Sequence, residues 1–194
     1  MYLYLILAAL FLFAYVEVQA ATKWSIDQSH SKVQFGVTHL VISEVTGQFN
    51  KFDGTIESPS DDFTDAKINF VVDVNSIDTD NQDRDNHLKS DDFFNAEKYP
   101  EMKFNGKSMK NVGGNKYKLT GDLTVRDITK EITLDVLYNG TVKDPWGNTK
   151  AGFKITGELN RFDYGLKWNA LVETGGAVVG KTINLNINLE LNKA

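Results

Sequence analysis

The chain has 194 residues, 21 lysines and arginines against 26 aspartates and glutamates, a formal net charge of −5, and no cysteine. That mildly acidic balance, with no basic stripe of interleaved aromatics, excludes nucleic acid as a partner, because phosphates need a cationic surface to neutralise them. Without cysteine there is no disulfide framework, so stability rests on a packed core, which a chain of this length builds as one domain.

The first element is "MYLYLILAALFLFAYVEVQAATKW", whose apolar run from Leu3 to Val16 carries no charge and is too short for an ordinary bilayer span. Val18, Gln19 and Ala20 resemble an A-x-A cleavage site. Residues 1–20 are therefore expected to be a signal peptide, cut between Ala20 and Ala21, ahead of a domain covering 21–194. No lysine or arginine precedes the run, which leaves a retained N-terminal anchor as the alternative. Export without disulfides suits a bacterial periplasmic domain.

A period of two follows. Val33, Phe35, Val37, His39 and Val41 alternate with Lys32, Gln34, Gly36, Thr38 and Leu40, the pattern of a strand with one apolar face. A weaker strand spans 47–56, where Phe49 and Phe52 break parity and predict a bulge. Alternation returns at 66–74, more weakly at 101–109, and then at 117–125, 132–138, 151–159 and 183–191, the last being Ile183, Leu185, Ile187, Leu189 and Leu191. The joins "NVGG" at 111–114, "VRD" at 125–127, "NG" at 139–140 and "DPWGN" at 144–148 read as turns. The chain is thus mainly β, with about eight consecutive antiparallel strands whose apolar face is covered by a second sheet or by closure. Glycines within or beside the strands, at 36, 47, 54, 106, 121, 152, 157 and 165, favour closure into a barrel.

One long insert, residues 75–100, interrupts the strands and contains "NQDRDNHLKSDDFF" at 81–94. Counted as a calcium loop from Asp78, it fails at Gln82, at Asp83 where the turn needs glycine, and at Lys89 where a bidentate glutamate is required. With one histidine and no cysteine, it also lacks a zinc ligand set. A short helix fits better: Asp80 is its expected cap, its acidic face is expected in solvent, and Leu88, Phe93 and Phe94 are expected to face inward. A barrel of eight strands has an open mouth, which makes this insert a capping, ligand-covering or mobile element.

In the lumen, Phe35, Phe70, Phe104 and Phe153 alternate with the small Ala66, Gly121, Ala151 and Gly157, a mixture that fits either a solid core or an apolar tunnel. His39 lies in the apolar phase, either as a satisfied interior group or as a donor to a ligand headgroup. Arg161 is expected to pair with Asp163 or Glu158, the other reading being an anionic head. His30 reads as a polar rim residue. No GxSxG, phosphate loop or cysteine nucleophile is present, and the adjacent acids at 61–62 and 91–92 point apart, so no catalytic residues are assigned and the chain does not read as an enzyme.

Five segments in order, "HSKVQFGVTHLVISEVTGQFNKFDGTI", "NHLKSDDFFNAEKYPEMKF", "LTGDLTVRDITKEITLDV", "GELNRFDYGLKW" and "VGKTINLNINLEL", together resemble the YceI-like family over essentially all of 22–191. The resemblance implies a lipocalin-like, eight-stranded antiparallel barrel with a short helical insertion capping one end. It also implies a usually periplasmic protein holding an isoprenoid or other long lipid chain, and brings no catalytic residues. The ligand-binding candidates are then Phe35, Val37, His39, Phe49, Phe70, Leu88, Phe93, Phe94, Phe104, Phe153, Arg161 and Trp168. No metal or cofactor is expected, only a polyisoprenoid, quinone-like or fatty-acyl ligand, with transient membrane contact for lipid exchange and a monomer or homodimer as the assembly. The alternatives are a stress-response or protein-interaction module with a filled barrel, and a hydrolase or metal enzyme using 78–92.

Overall fold

A computed structural model describes residues 20–171 and 177–194. Residues 1–19, nearly all of the expected leader, lie outside it. The strands are β1 (Thr22–Ile26), β2 (Lys32–His39), β3 (Ser43–Phe49), β4 (Phe52–Ser58), β5 (Lys67–Asp73), β6 (Ile77–Asp78), β7 (Glu101–Gly113), β8 (Lys116–Val125), β9 (Ile128–Lys143), β10 (Thr149–Asn160) and β11 (Val179–Lys193), with one helix, α1 (Gln82–Lys89), between β6 and β7.

Eleven strands make eight staves. β1 and β2 lie end to end along one edge of β11, with Ile26 opposite Leu191 and Val33 opposite Ile187. Their partners β3 and β4 do the same, β3 beside β2 and β4 beside β1. β5 and β6 form the third stave, pairing with β4 and β3 respectively. The ladder then runs through β7, β8, β9, β10 and β11 and returns to β1, so an antiparallel eight-stranded barrel closes on itself, with the two-residue β6 paired on one side only.

Three expectations are corrected. The parity break at Phe49 and Phe52 is a corner between β3 and β4, not a bulge, and it lets both rings turn into the core. A 3-10 turn at Val74–Ser76 pins that corner, the Ser76 carbonyl accepting from Asn50 N–H at 3.0 Å and its hydroxyl from Lys51 N–H at 3.0 Å. Asn139 and Gly140 form no hairpin turn; β9 runs through them, and the bulge falls here, with Asn139 the extra residue against Gly152 and Phe153. The alternation through Val41 also outlasts its strand, for β2 stops at His39 and Val41 sits on the loop to β3.

The barrel has one sealed end. There Phe63, 1% exposed, meets Trp24, Phe153 and Tyr138 with ring centroids 5.1, 4.9 and 5.5 Å away, a plug of aromatic rings under the 59–66 loop. Gly121 admits another ring: a Cβ there would come within 2.5 Å of Phe104 Cζ and of the Asn105 carbonyl, so only glycine lets β8 pass this close. The opposite end carries α1, the β2–β3 loop and the segment after β10.

Candidate functional site: an apolar lumen

Between the plug and α1 the side chains leave space. A deep cavity of about 120 Å³ is lined only by apolar residues, among them Phe63, Met109, Leu119, Leu134 and Phe153. A middle cavity of about 180 Å³ lies above it, and an outer one of about 370 Å³ lies under α1. Phe70, Phe104, Leu123, Leu185 and Ile187 line both the deep and the middle cavities, while Phe35, Val37, Leu88, Phe93 and Val179 line both the middle and the outer ones. Walls shared in this way make the three one column of space along the barrel axis.

All twelve candidate residues lie on this column. Phe153 lines the deep part, Phe70 and Phe104 its junction with the middle, and Phe49, Phe94 and Arg161 the middle. Phe35, Val37, Leu88 and Phe93 line the junction with the outer part, where His39 and Trp168 stand. The candidate set misses Met102, Leu123, Leu185 and Ile187, although Leu123, Leu185 and Ile187 occupy the apolar phase of their strands. Period two identified their inward direction, but aromatic size, by which the candidates stand out, gives no weight to aliphatic wall residues.

Helix α1 is fixed over the mouth by a polar anchor. Its cap is Asn81, whose side-chain oxygen accepts from Arg84 N–H at 3.0 Å; the expected cap, Asp80, sits one residue early in a left-handed conformation. The acidic face is not wholly in solvent either. Asp85 is 7% exposed, and its carboxylate accepts from Thr79 N–H at 3.0 Å and from the Thr79 hydroxyl at 2.6 Å. Arg84 completes the knot, its Nε donating to Thr79 Oγ1 at 2.7 Å and its Nη2 to the Thr79 carbonyl at 2.5 Å. The knot satisfies a buried carboxylate inside the fold and turns Leu88 toward the lumen. His87 follows, its Nε2 2.8 Å from Asp92 Oδ2 and its ring edge-on to Phe93 and Trp168 at 5.1 and 5.0 Å.

Arg161 departs furthest from expectation. It is 4% exposed and bonds neither Asp163 nor Glu158. Its Nε donates to the Gly180 carbonyl at 2.8 Å, Nη1 to Leu166 and Trp168 at 2.5 and 2.8 Å, and Nη2 to Val179 at 3.1 Å, with the Phe162 ring 4.4 Å from the guanidinium. Burial holds its pKa below the usual arginine range. The fork therefore ties the 166–168 segment to the start of β11 at the rim. Tyr164, in the same 3-10 turn, is buried with a hydroxyl that has no partner among the described residues, and burial raises its pKa to about 12.

Away from the lumen, Asp27, His30 and Glu190 converge within reach of a single cation, but Lys150 Nζ already stands 2.7 Å from Asp27 and 3.3 Å from Glu190. His30 is exposed, as a rim residue should be, 3.2 Å from Asp27.

A sequence model of the YceI-like domain matches residues 24–191. The chain belongs to the YceI-like family. Its similar relatives include UPF0312 proteins of Staphylococcus epidermidis, 40% identical over 172 residues, and Staphylococcus aureus, 38% identical; in both, the match covers 88% of this chain and 98% of the relative. Among solved structures, the YceI protein of Campylobacter jejuni is 35% identical, with a TM-score of 0.70 over 81% of this chain and 90% of that one. Burkholderia cenocepacia BcnA, at 21% identity, gives a TM-score of 0.74 over 85% and 98% of the two chains. A polyisoprenoid binding domain from Saccharophagus degradans, at 16% identity, gives 0.63 over 88% and 98%. The last two share the fold. In this YceI-like barrel His39, Thr79, Asp83, Arg84 and His87 line the outer cavity, Gln34, Lys103, Arg161 and Tyr164 the middle one, and the deep cavity has no polar residue.

Proposed function

We propose that the protein is an exported, periplasmic lipid-binding protein that holds one long apolar chain, polyisoprenoid, quinone-like or fatty-acyl, inside the barrel for carriage or storage. The observation that carries this reading is the column of space, wholly apolar at the end sealed by Phe63 and acquiring polar side chains towards the other. A slender chain with a polar head fits that gradient. Each buried CH₂ contributes about 0.8 kcal/mol, so about twenty buried carbons offer about 16 kcal/mol. An association cost of about 8 kcal/mol, within the usual range, leaves a micromolar Kd without any polar contact. The unfilled space counts against a filled-barrel interaction module, and the family relationship together with the fold shared with a polyisoprenoid binding domain supports binding over catalysis. Loading and unloading by this reading take place at a membrane, through transient contact.

The test is native mass spectrometry of detergent-free protein, with solvent extraction to identify what is released. One apolar molecule per protein is expected. Leu185→Trp, which places a larger side chain where the deep and middle cavities meet, is expected to lose it while keeping the circular dichroism of the barrel. Recovery of only the bare mass from well-folded wild type would remove the reading.

A further inference from the structure

The large apolar side chains exposed among the described residues fall at the two ends of the barrel. Val112, Val142 and Trp146 surround the sealed end, where the Phe63 plug leaves nothing to enter. At the open end Val41 is 66%, Ile42 86% and Leu171 74% exposed. These three belong to one rim: Leu40 N–H donates to the Val178 carbonyl at 2.9 Å, Val178 N–H to the Ala170 carbonyl at 2.9 Å, and Leu171 bridges Ala177. The same rim borders the outer cavity, through Thr38, His39, Val178 and Val179.

The backbone of the rim is costly. Leu40 and Val41 have φ of 51° and 66°, left-handed values that favour glycine and asparagine and disfavour a β-branched residue. Such conformations are strained and cluster at working surfaces. Asn-Gly at 40–41 would remove the strain and the exposed Val41; here Leu-Val stands instead, followed by Ile42.

We propose that Val41, Ile42 and Leu171 insert into the surface of a lipid bilayer and set the mouth of the barrel against it, so that a chain passes from the membrane into the lumen without crossing water. This rests on the lipid-binding reading above and names where its membrane contact is made. A bilayer is the occupant rather than a protein, because three side chains on two rim segments are far short of the roughly 800 Å² per partner of a stable protein interface. A membrane takes such side chains singly, each adding its own apolar burial. The continuity of the patch with the way into an apolar lumen suits a partner whose interior is itself apolar. Exposed Glu44 beside the tip, against Lys167 and Lys181 on neighbouring segments, gives no basic cluster, so attachment is apolar and does not require anionic lipid.

Flotation of the protein with vesicles of phosphatidylcholine tests the proposal, alongside the rate at which a fluorescent acyl chain moves from those vesicles to the protein. In the variant Val41→Ser, Ile42→Ser, Leu171→Ser, both are expected to fall more than about tenfold, with the acyl chain still bound at equilibrium when supplied from detergent. Trp146→Ser, at the sealed end, is expected to behave as wild type, and Ile42→Trp to give a blue-shifted emission on adding vesicles. Leu185→Trp separates the two readings: it is expected to float normally while taking up no chain, and if wild type floats but takes up none, the lumen reading fails and the docking rim stands. Wild type that does not float, or a triple variant that floats and transfers as wild type does, overturns the proposal.

Discussion

Arg161 places a full positive charge in the wall of an apolar lumen, and four backbone carbonyls in a fork-shaped arrangement are what make this tolerable. Lysine has the charge but only three donors radiating from a point. Arg161→Lys is therefore expected to lower stability by about 2–4 kcal/mol in urea unfolding, because carbonyls left unpaired in a buried site cost as much as the charge they held. Wild-type stability in that variant would show that the fork is not needed. The adjacent acids suggested a local ion pair in the sequence; the partners are carbonyls instead, two of them, Val179 and Gly180, 18 and 19 positions away, and no spacing in the chain marks a carbonyl as an acceptor. Asp27 obeys the opposite logic. Lys150 beside it, bonded at 2.7 Å, holds its carboxyl well below the ordinary 3.8, with Ser29 adding a second hydrogen bond. A carboxylate with a depressed folded-state pKa stabilises the fold above its unfolded pKa and loses that contribution as the pH falls through the folded value. The melting temperature is thus expected to drop as pH is lowered below about 4, and Asp27→Asn to have a lower melting temperature at pH 7 with a flatter acid slope. An unchanged slope in the variant would assign the acid sensitivity to other carboxylates.

Among the elements, α1 depends on the Thr79–Asp85–Arg84 knot for its position over the mouth. Asp85→Ala leaves the Thr79 donors short of their acceptor, at a cost of about 1–3 kcal/mol. Because the loss is local, hydrogen exchange is expected to speed up for the α1 amides and to stay slow in β8 to β11; uniform acceleration would mean the knot supports the whole barrel. The sequence marked where this helix lies and that Leu88, Phe93 and Phe94 turn inward, since those follow from periodicity and size. It did not separate the buried Asp85 from its exposed neighbours, because acid residues on one short helix look alike until the link from β6 folds back and supplies Thr79. Strands were legible wherever one face is buried over seven or more residues. β1, five residues long, and β6, two residues long, offer too few repeats for a period to register. At Phe49 and Phe52 the parity break was visible, but an inserted residue and a change of strand leave the same trace. Asn139–Gly140 carried a turn signal that the continuous pairing of β9 with β10 overrode.

For the whole molecule, closure is the property that matters. Eight staves give a lumen that side chains can just fill, and here apolar walls leave part of it open while four aromatic rings shut one end. The alternation in the chain was compatible with either a full or an open interior, because packing density depends on how rings lie across the axis and not on which strand they come from. A fatty acid brominated at its terminal carbon, bound to the protein and located by anomalous diffraction, probes this directly. The bromine is expected near Met109 and Leu119, beneath Phe70 and Phe104, with the carboxylate at the mouth beside His39 and Arg84. Bromine found only outside the barrel, or a lumen closed by protein side chains in the same crystals, would contradict the tunnel.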